Sequence, residues 1–431
     1  MDSLFHYCQG ESHKSTEKPC QDCAWAESSE SLSMAIVCDG HGGEPYFRSQ
    51  YGSQFAVEIA KKAIRSFVDS MEESSFTVKG KRSVFEDKPF TDYGTNDGKE
   101  HEIDNHAHKA LMWLFSSIIS QWNDRIAKDA CERDLDEWEQ IHVDQKYKDD
   151  FHAKQQDPSA TFEKIYGCTL MAYVQTPTYW FAFHIGDGKF VTLHNEGEGI
   201  DFRQPIPWDE RCFLNKTTSL CDSHVLEEFR YCYQGDGTFP RAVFLGSDGM
   251  DDSYGDGENL YNFYIQLFKT IIQKGKDKAL IELKKSLPII SKRGSKDDMS
   301  VACVYNDSAL SAMFFALTDY QMARYNEQFN SAEEKVAQLS QKIGDCGNPE
   351  KLNQKEQIEL EYAKKDKIRA EEQAIRIKKR ITVLKGEIAK YRNRLKDSED
   401  DVPGEDILAS TENPDVAPDM PDYMDDANIL A

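Results

Sequence analysis

The stretch Asp39-Gly40-His41-Gly42-Gly43 directly follows the apolar run Met34-Ala35-Ile36-Val37-Cys38. This order predicts a buried strand that ends in a sharp turn. Within three positions the turn offers a carboxylate, a carbonyl and an imidazole, and its glycines allow close approach to the backbone. Hard divalent cations prefer carboxylate and carbonyl oxygens. The turn is therefore a candidate cation site, although Asp-Gly is also a common pair in ordinary turns.

The composition is that of a globular protein of 431 residues, long enough for one large domain with accessories or for two domains. The formal net charge of −24 opposes contact with a phosphate backbone, so we expect no nucleic-acid partner. No apolar stretch reaches the length of a membrane helix, and the N-terminus lacks the layout of a signal peptide. We therefore expect a cytoplasmic protein with no membrane partner.

The eleven cysteines are odd in number and irregularly spaced, which favours reduced thiols over a disulfide framework. Cys20-Gln21-Asp22-Cys23 has the spacing of a zinc or redox pair. No second pair follows at zinc-finger spacing. Free thiols beside a functional aspartate are thus the favoured interpretation.

Hydrophobic periodicity up to Asp307 predicts a sheet protein covered by helices. Strands are predicted near Ser3–Gln9, Met34–Cys38, Thr169–Gln175, Tyr179–Ile185, Lys189–His194, Ala242–Gly246 and Met299–Tyr305. Helices are predicted near Tyr46–Met71, Ala110–Ile126, Asn259–Lys274 and Lys278–Leu287. The turn Gly186-Asp187-Gly188 is expected to close a hairpin. Glu72–Glu100 reads as a surface insertion, and the long loop Glu196–Asp222 as a functional segment.

Residues 308–396 have the apolar spacing of two helices, interrupted at Gly344-Asp345-Cys346-Gly347-Asn348-Pro349. This predicts an antiparallel helical hairpin or coiled coil. The hairpin is either an arm that binds a coiled-coil partner or a second copy, or a solvated stalk. The sequence leaves both interpretations open.

Residues 397–431 contain twelve Asp or Glu and no Lys or Arg, a composition typical of disorder. The tail could act as a charged bristle, as a docking peptide, or as an intramolecular decoy for a basic surface. The predicted domains are therefore 1–307, 308–396 and 397–431.

Three further aspartates lie where predicted strands begin or end. Asp187 lies within Gly186-Asp187-Gly188, Asp248 follows Gly246-Ser247, and Asp297 precedes the strand that begins at Met299. Each is also a plausible turn residue. If they converge with Asp39, their charges repel and raise each other's pKa unless a cation lies among them.

These motifs carry a family resemblance. Asp-Gly-His-Gly-Gly, Gly-Cys-Thr-Leu, Ile-Gly-Asp-Gly, Gly-Ser-Asp-Gly-Met-Asp-Asp and Ser-Lys-Asp-Asp-Met-Ser-Val resemble, in order and spacing, the metal-dependent protein phosphatase type 2C family. The resemblance covers about residues 1–307, and the early segment that runs from Ser12-His13 to Pro19-Cys20-Gln21-Asp22 resembles the bacterial variety of the family's first motif. It implies an α+β fold, a four-layer α/β-β/α sandwich in which helices flank two antiparallel sheets. It also implies two or three Mg²⁺ or Mn²⁺ ions, and phosphoserine or phosphothreonine proteins as substrates.

The resemblance assigns the metal ligands residue by residue. Asp39 would bridge two cations, and Gly40 would offer its carbonyl to one of them. Asp248 and Asp297 would complete the other cation's ligands, and Asp22 would act nearby, directly or through water.

The resemblance also assigns the remaining parts of the site. Asp187 and Asp252 resemble a third, looser metal position, and His41 matches the histidine that protonates the leaving oxygen. The loop Glu196–Asp222 resembles the flap beside the cleft. Two adjacent cations would lower the pKa of a bridging water to give an attacking hydroxide, so no phosphoenzyme is needed.

The chain departs from the family pattern at three positions. Gln21 stands where many relatives have Glu, and Asp298 stands where Asn is usual. Glu17 occupies the position of a phosphate-gripping Arg. The residues that could replace that Arg in substrate binding are Lys14, Lys18 and His13.

The leading hypothesis is a Ser/Thr protein phosphatase with a C-terminal helical arm. The alternatives are a catalytically weak, phosphatase-like scaffold that binds phosphoproteins, and a metal-dependent hydrolase of small phosphoesters. Because a scaffold has no physical need for Asp39, His41, Asp248 and Asp297 together, their presence favours the enzyme.

Overall fold

The computed structural model of the protein describes residues 1–71, 88–89, 105–197, 199–212, 216–235, 237–255, 257–346 and 353–400. The insertion predicted at 72–100 lies outside the described residues except for Lys88–Pro89, as does the acidic tail beyond Asp400. The chain divides into two compact units. One holds most of residues 1–311, and the other holds residues 196–200 and the long helices that begin at Phe314.

The strands are β1 (Asp2–Cys8), β2 (Cys23–Ser28), β3 (Ser33–Cys38), β4 (Lys88–Pro89), β5 (Leu170–Gln175), β6 (Trp180–Ile185), β7 (Lys189–Glu196), β8 (Gly199–Arg203), β9 (Arg230–Gln234), β10 (Ala242–Gly246) and β11 (Met299–Tyr305). The helices are α1 (Glu11–Ser15), α2 (Ser49–Ser70), α3 (Asn105–Glu132), α4 (Glu137–His142), α5 (Gln145–Gln155), α6 (Val225–Glu228), α7 (Asp248–Tyr254), α8 (Gly257–Lys274), α9 (Lys276–Arg293), α10 (Asp307–Ser311), α11 (Phe314–Asp345) and α12 (Gln354–Asp400).

The strands of the first unit form two antiparallel sheets. One has the order β1-β11-β10-β7-β8, and the other has the order β2-β3-β5-β6-β9-β4. In β3, Ala35 and Val37 belong to the core between the sheets, whereas Met34 and Ile36 belong to the core shared with α2 and α3. Because both faces of β3 are covered, the strand is apolar at every position but its first.

Helices cover the outer face of each sheet. Helices α2 and α3 pack on the β3 side, where Trp122 of α3 donates a hydrogen bond to the Gly52 carbonyl of α2 at 3.0 Å. On the other side, the Tyr264 ring of α8 stacks on Phe244 of β10, with ring centroids 3.8 Å apart. This arrangement confirms the predicted α+β sandwich of two antiparallel sheets flanked by helices.

The predicted hairpin across Gly186-Asp187-Gly188 is wrong. Strand β6 pairs with β5 and β9 in one sheet, and β7 pairs with β10 in the other. The turn therefore carries the chain from one sheet to the other. Gly186 has a φ of +126°, and a Cβ on Gly188 would lie 2.7 Å from the Gly246 carbonyl oxygen, so the crossing requires both glycines.

Sequence periodicity also missed strands β2, β8 and β9. Strand β8 lies inside the segment predicted to be one long loop, and β9 is rich in polar residues and Tyr. Strand β2 has the sequence Cys-Ala-Trp-Ala-Glu-Ser, and its small alanines contribute little hydrophobic signal. These strands are held by pairing with neighbours rather than by a strong local pattern.

In the second unit, α11 and α12 pack as an antiparallel pair, as predicted. Phe314 at the start of α11 stacks on Tyr391 near the end of α12, with centroids 3.8 Å apart. Helix α12 begins after Asn353, whose side chain accepts from the Glu356 N–H at 3.0 Å, while Glu356 accepts from the Asn353 N–H at 2.8 Å. Gly347, Asn348 and Pro349 of the predicted interruption lie outside the described residues.

Two further findings concern membrane-spanning helices and the cysteines. None of the described helices is both long and apolar enough to cross a membrane. All eleven cysteines are free thiols, including Cys20 and Cys23 of the CxxC motif.

Gly52 offers a test of the packing between α2 and the segment before β5. A Cβ at this position would overlap with the carbonyl oxygen of Tyr166, whereas Gly386 in α12 has open space around it. We expect Gly52→Ala to lower the free energy of unfolding by about 1–3 kcal/mol or more, because overpacking forces the backbone to move. Urea unfolding followed by tryptophan fluorescence measures this effect, since all six tryptophans lie between residues 25 and 208.

The matched control is Gly386→Ala, which should not lower this free energy. Alanine is about 1 kcal/mol more favourable than glycine inside a helix. An unchanged transition for Gly52→Ala would contradict the described packing.

Candidate metal centre

The turn after β3 is held by backbone hydrogen bonds from two directions. The Thr169 N–H donates to the Asp39 carbonyl at 2.7 Å, and the Asp39 N–H donates to the Thr169 hydroxyl at 3.0 Å. The Gly40 N–H donates to the Gln21 carbonyl at 3.1 Å, and the His41 N–H donates to the Gly167 carbonyl at 3.1 Å. A Cβ on Gly40 would lie 2.8 Å from two carbonyl oxygens, which explains the glycine.

The predicted aspartates lie at strand ends and interact electrostatically, whereas the three potential ligands found within 4.8 Å of one another among the described residues are His13, Asp297 and Asp298. Asp39 follows β3, Asp187 lies between β6 and β7, Asp248 opens α7 after β10, and Asp297 precedes β11. Asp22 precedes β2 and is 1% exposed. The ends of strands from both sheets thus supply one cluster of carboxylates.

The carboxylates of the cluster change one another's pKa. Burial raises the pKa of Asp39 well above its ordinary value, and the charges of Asp22 and Asp248 raise it further. The carboxyl groups of Asp39 and Asp248 are close enough to share a proton. Burial raises the pKa of Asp248 to about 7, with further contributions from the charges of Asp187 and Asp297. Without a counter-charge, the cluster resists full ionisation.

Several oxygens of the cluster have no hydrogen-bond partner among the described residues. They are Oδ1 of Asp248, Oε1 of Gln21 and, by hydrogen-bond geometry, both carboxylate oxygens of the buried Asp22, whose raised pKa the nearby Ser247 and Ser300 hydroxyls nevertheless lower. A buried polar atom without a partner costs about 1–3 kcal/mol. The donor set is made of carboxylate, carbonyl and amide oxygens, as Mg²⁺ and Mn²⁺ require. These residues therefore fit a centre for hard divalent cations.

Asp187 and Asp252 lie at the edge of the cluster. Burial raises the pKa of Asp187, while a hydrogen bond from Thr217 lowers it. Partial burial raises the pKa of Asp252, and the charges of Asp251, Asp187 and Asp297 raise it further. Neighbouring Asp251 is instead paired with Lys189 at 3.0 Å.

His41 is oriented by the segment predicted to be the flap. Its Nε2 lies 2.7 Å from the Ser219 hydroxyl, which in turn donates to the Cys168 carbonyl at 3.1 Å. Because the Ser219 proton is engaged there, the His41 Nε2–H is the donor between the two side chains. The Tyr46 ring packs edge-on against the imidazole, with centroids 4.8 Å apart, and burial lowers the pKa of His41 to about 4.

The two lysines predicted to bind substrate lie in different surroundings. The Lys18 ammonium donates to the Gly42 carbonyl at 2.5 Å, beside the turn. Burial lowers the pKa of Lys18, while the charges of Asp298, Asp297 and Asp39 raise it. Lys14 is exposed and lies 3.9 Å from Glu11. Glu17, at the family's Arg position, is exposed with a φ of 56°.

The other two departures from the family pattern have clear structural roles. The Asp298 carboxylate accepts the N–H groups of Gly10 at 2.6 Å and Gln21 at 2.5 Å, and His13 Nδ1 lies 2.9 Å from it. Through these hydrogen bonds, Asp298 links the segment before Asp22 to the start of β11. The Gln21 amide donates to the His41 carbonyl at 3.1 Å and to the Ser49 hydroxyl.

Sequence reasoning missed the roles of Ser219 and Thr218, although it singled out the segment that contains them. Thr218 accepts the Gly186 N–H at 2.9 Å, next to Asp187. Ser and Thr in a polar loop give no periodic signal, so only the contacts identify them. The segment thus touches both His41 and the Asp187 turn.

A family model described as protein phosphatase 2C matches residues 9–287 of the chain. No curated protein sequence gives a significant match.

Several solved structures are similar at a distance. The serine/threonine phosphatase Stp1 from Staphylococcus aureus is 13% identical, with a TM-score of 0.39, over 71% of this chain and 95% of that one. The catalytic domain of the serine threonine protein phosphatase PstP, in complex with two manganese ions, is 14% identical, with a TM-score of 0.38, over 70% and 96%. A sex-determining protein of C. elegans is 13% identical, with a TM-score of 0.41, over 73% and 67%. Matches this distant carry no argument about activity.

Asp248→Asn tests the repulsion within the cluster. Without divalent cations, the variant should be more stable than the native chain by about 1–3 kcal/mol above pH 7, because it removes a buried charge. The raised pKa of Asp248 means that the folded state holds more protons than the unfolded state between about pH 4 and 7. The native chain should therefore lose stability as the pH rises through that window, and the variant's advantage should grow.

The measurement is urea unfolding in EDTA, followed by tryptophan fluorescence. The matched control is Asp251→Asn on the same helix, which removes an ion pair with Lys189 and should be neutral or slightly destabilising. Equal effects of the two variants would contradict the described cluster.

Proposed function

Because the chain belongs to the protein phosphatase 2C family, a metal-dependent family whose model matches residues 9–287, we propose that it hydrolyses phosphoserine and phosphothreonine in proteins. The observation that carries the proposal is the convergence of Asp22, Asp39 and Asp248, in which oxygens of Asp22 and Asp248 lack hydrogen-bond partners among the described residues. A phosphatase needs such a cluster, whereas a purely structural role gives no reason for it.

We propose Asp39, the Gly40 carbonyl, Asp248 and Asp297 as the residues that hold two Mg²⁺ or Mn²⁺ ions. Asp22 contributes directly or through water. Asp187 and Asp252 would hold a third, looser ion. The divalent ions, when bound, would supply a hydroxide near neutral pH and offset the charge of the phosphoryl group.

His41 is proposed as the proton donor to the leaving oxygen. Ser219 engages Nε2, and Nδ1 is then the ring nitrogen that can face the substrate. Burial lowers the pKa of His41 to about 4, so the ring is neutral at pH 7 until an anion approaches. A phosphate dianion beside the ring would raise the pKa and favour the imidazolium that donates the proton.

Lys18 is the favoured contact for substrate phosphate, since it lies beside the turn and near the charges of Asp39 and Asp297. It would have to exchange its bond to the Gly42 carbonyl for the phosphate. Lys14 remains the less favoured candidate because it lies beside Glu11. A lysine is a point charge rather than a two-pronged donor, so substrate binding should be weaker than with Arg.

We place the protein in the cytoplasm, since eleven free thiols suit a reducing compartment. Phosphorylated proteins are the proposed substrates. The helical pair of α11 and α12 is the proposed arm for a coiled-coil partner or for self-association.

The central test is hydrolysis of a phosphothreonine peptide by the purified full chain. We expect release of phosphate with Mn²⁺ or Mg²⁺ and none in EDTA. Asp248→Asn should abolish this activity, and Asp251→Asn should retain it. A folded chain that binds the phosphopeptide but releases no phosphate with any cation would instead support the scaffold.

Ser219→Ala tests the positioning of His41. The variant should lower kcat for a phosphothreonine peptide about tenfold, less than the roughly 10²–10⁴-fold that general acid catalysis supplies, because His41 itself remains. It should change kcat for p-nitrophenyl phosphate little, because that leaving group needs no proton.

The matched control is Ser223→Ala, an exposed serine one residue beyond that segment, which should leave the activity on both substrates unchanged. Equal losses on both substrates for Ser219→Ala would indicate a general structural defect and contradict the positioning role.

A further inference from the structure

The C-terminal part of α12 is strongly basic in an acidic chain. Between Arg376 and Lys396, here called the basic segment, there are nine Lys or Arg and a single acidic residue, Glu387. The chain as a whole carries a formal net charge of −24. Like charges three and four positions apart destabilise a helix by about 0.2–0.5 kcal/mol per pair, so this density calls for a compensating anion.

Six basic side chains of the segment lack an ion-pair partner among the described residues, unlike several of those earlier in the same helix. Before residue 376, ion pairs join Lys355 to Glu359 and Lys367 to Glu371. Within the basic segment, six side chains are exposed and have no carboxylate at ion-pair distance among the described residues. They are Lys378, Lys379, Lys385, Lys390, Arg394 and Lys396.

The exposed charges lie away from the face that packs on α11. Ile377, Ile381 and Leu384 are buried in the core of the helical pair. The outer surface also carries apolar side chains, since Ile375 is 57% exposed and Val383 is 52% exposed. A partner that fits this surface must combine negative charge with some apolar side chains.

The last 31 residues of the chain have this composition. Residues 401–431 contain nine Asp or Glu, no Lys or Arg, and the apolar pairs Ile407-Leu408 and Ile429-Leu430. They begin five residues after Lys396. The basic segment is about 30 Å long at 1.5 Å per residue. An extended chain of 31 residues spans up to about 100 Å, so the tail is long enough to fold back along the segment.

We propose that the acidic tail, residues 401–431, docks on the basic segment of its own chain. Covalent attachment gives the tail an effective concentration in the millimolar range. An external nucleic acid or acidic lipid surface would also meet the negative charge of the rest of the chain. The docked tail shields the basic segment until a stronger anionic partner displaces it. The proposal is independent of the proposed phosphatase activity.

Zero-length carboxyl-to-amine cross-linking of the full chain tests the docking, with sites identified by mass spectrometry. Cross-links from tail carboxylates should concentrate on Lys378, Lys379, Lys385 and Lys390, and should disappear in 1 M NaCl, where screening is strong. The matched controls are Lys364 and Lys365, which are exposed on the same helix and within reach of an extended tail. Equal cross-linking at the control lysines, or none at the basic segment, would overturn the proposal.

A second measurement uses heparin as the polyanion probe with full-length variants. Replacing the nine Asp and Glu of residues 401–431 by Asn and Gln should tighten heparin binding at least tenfold. Adding Lys378→Gln, Lys379→Gln, Lys385→Gln and Lys390→Gln should reverse this gain, while adding Lys364→Gln and Lys365→Gln should not. If the native chain binds heparin as tightly as the tail-neutralised variant, the tail does not occupy the segment and the proposal fails.

Discussion

Repulsion between carboxylates is the constraint on which the site depends. Asp39, Asp22 and Asp248 are held close together in a poorly hydrated place, and their charges raise one another's pKa. Nothing in the carboxylates themselves favours this arrangement. The arrangement persists because hydrogen bonds that do not depend on the carboxylate charges fix the surrounding backbone. The apolar cores on either side of β3 also stabilise it.

The supporting bonds join parts of the chain that are far apart in sequence. Thr169 pairs with Asp39 through backbone and hydroxyl, and Asp298 accepts backbone N–H groups from Gly10 and Gln21. Gln21 then donates to the carbonyl of His41. One connected set of hydrogen bonds therefore positions the candidate metal-binding turn, the preceding Asp22 segment and the imidazole. A change at Asp298 or Gln21 would disturb the site without touching substrate.

The two units of the chain differ in which counter-charge offsets their concentrated charged residues. In the first unit, acidic groups are concentrated and partly buried, and a bound cation is the natural counter-charge. In the second unit, the basic segment of α12 is exposed on a helix whose other face packs on α11. There the acidic residues 401–431 are the proposed counter-charge. Both features follow from charge that is segregated along the chain rather than mixed.

The sequence by itself predicted sheets covered by helices, most strand positions and the long helical pair, because apolar periodicity is a local property; the sandwich followed from the resemblance of its motifs to a family. It also identified the aspartates as a set, since each follows or precedes a strand with a glycine nearby. Only the tertiary structure decided that Gly186-Asp187-Gly188 joins two sheets instead of closing a hairpin, because strand pairing is chosen by distant partners. The same holds for Ser219 beside His41 and for Asp298 beneath Gln21. Those contacts join residues 178 and 277 positions apart, and no local pattern encodes such a meeting.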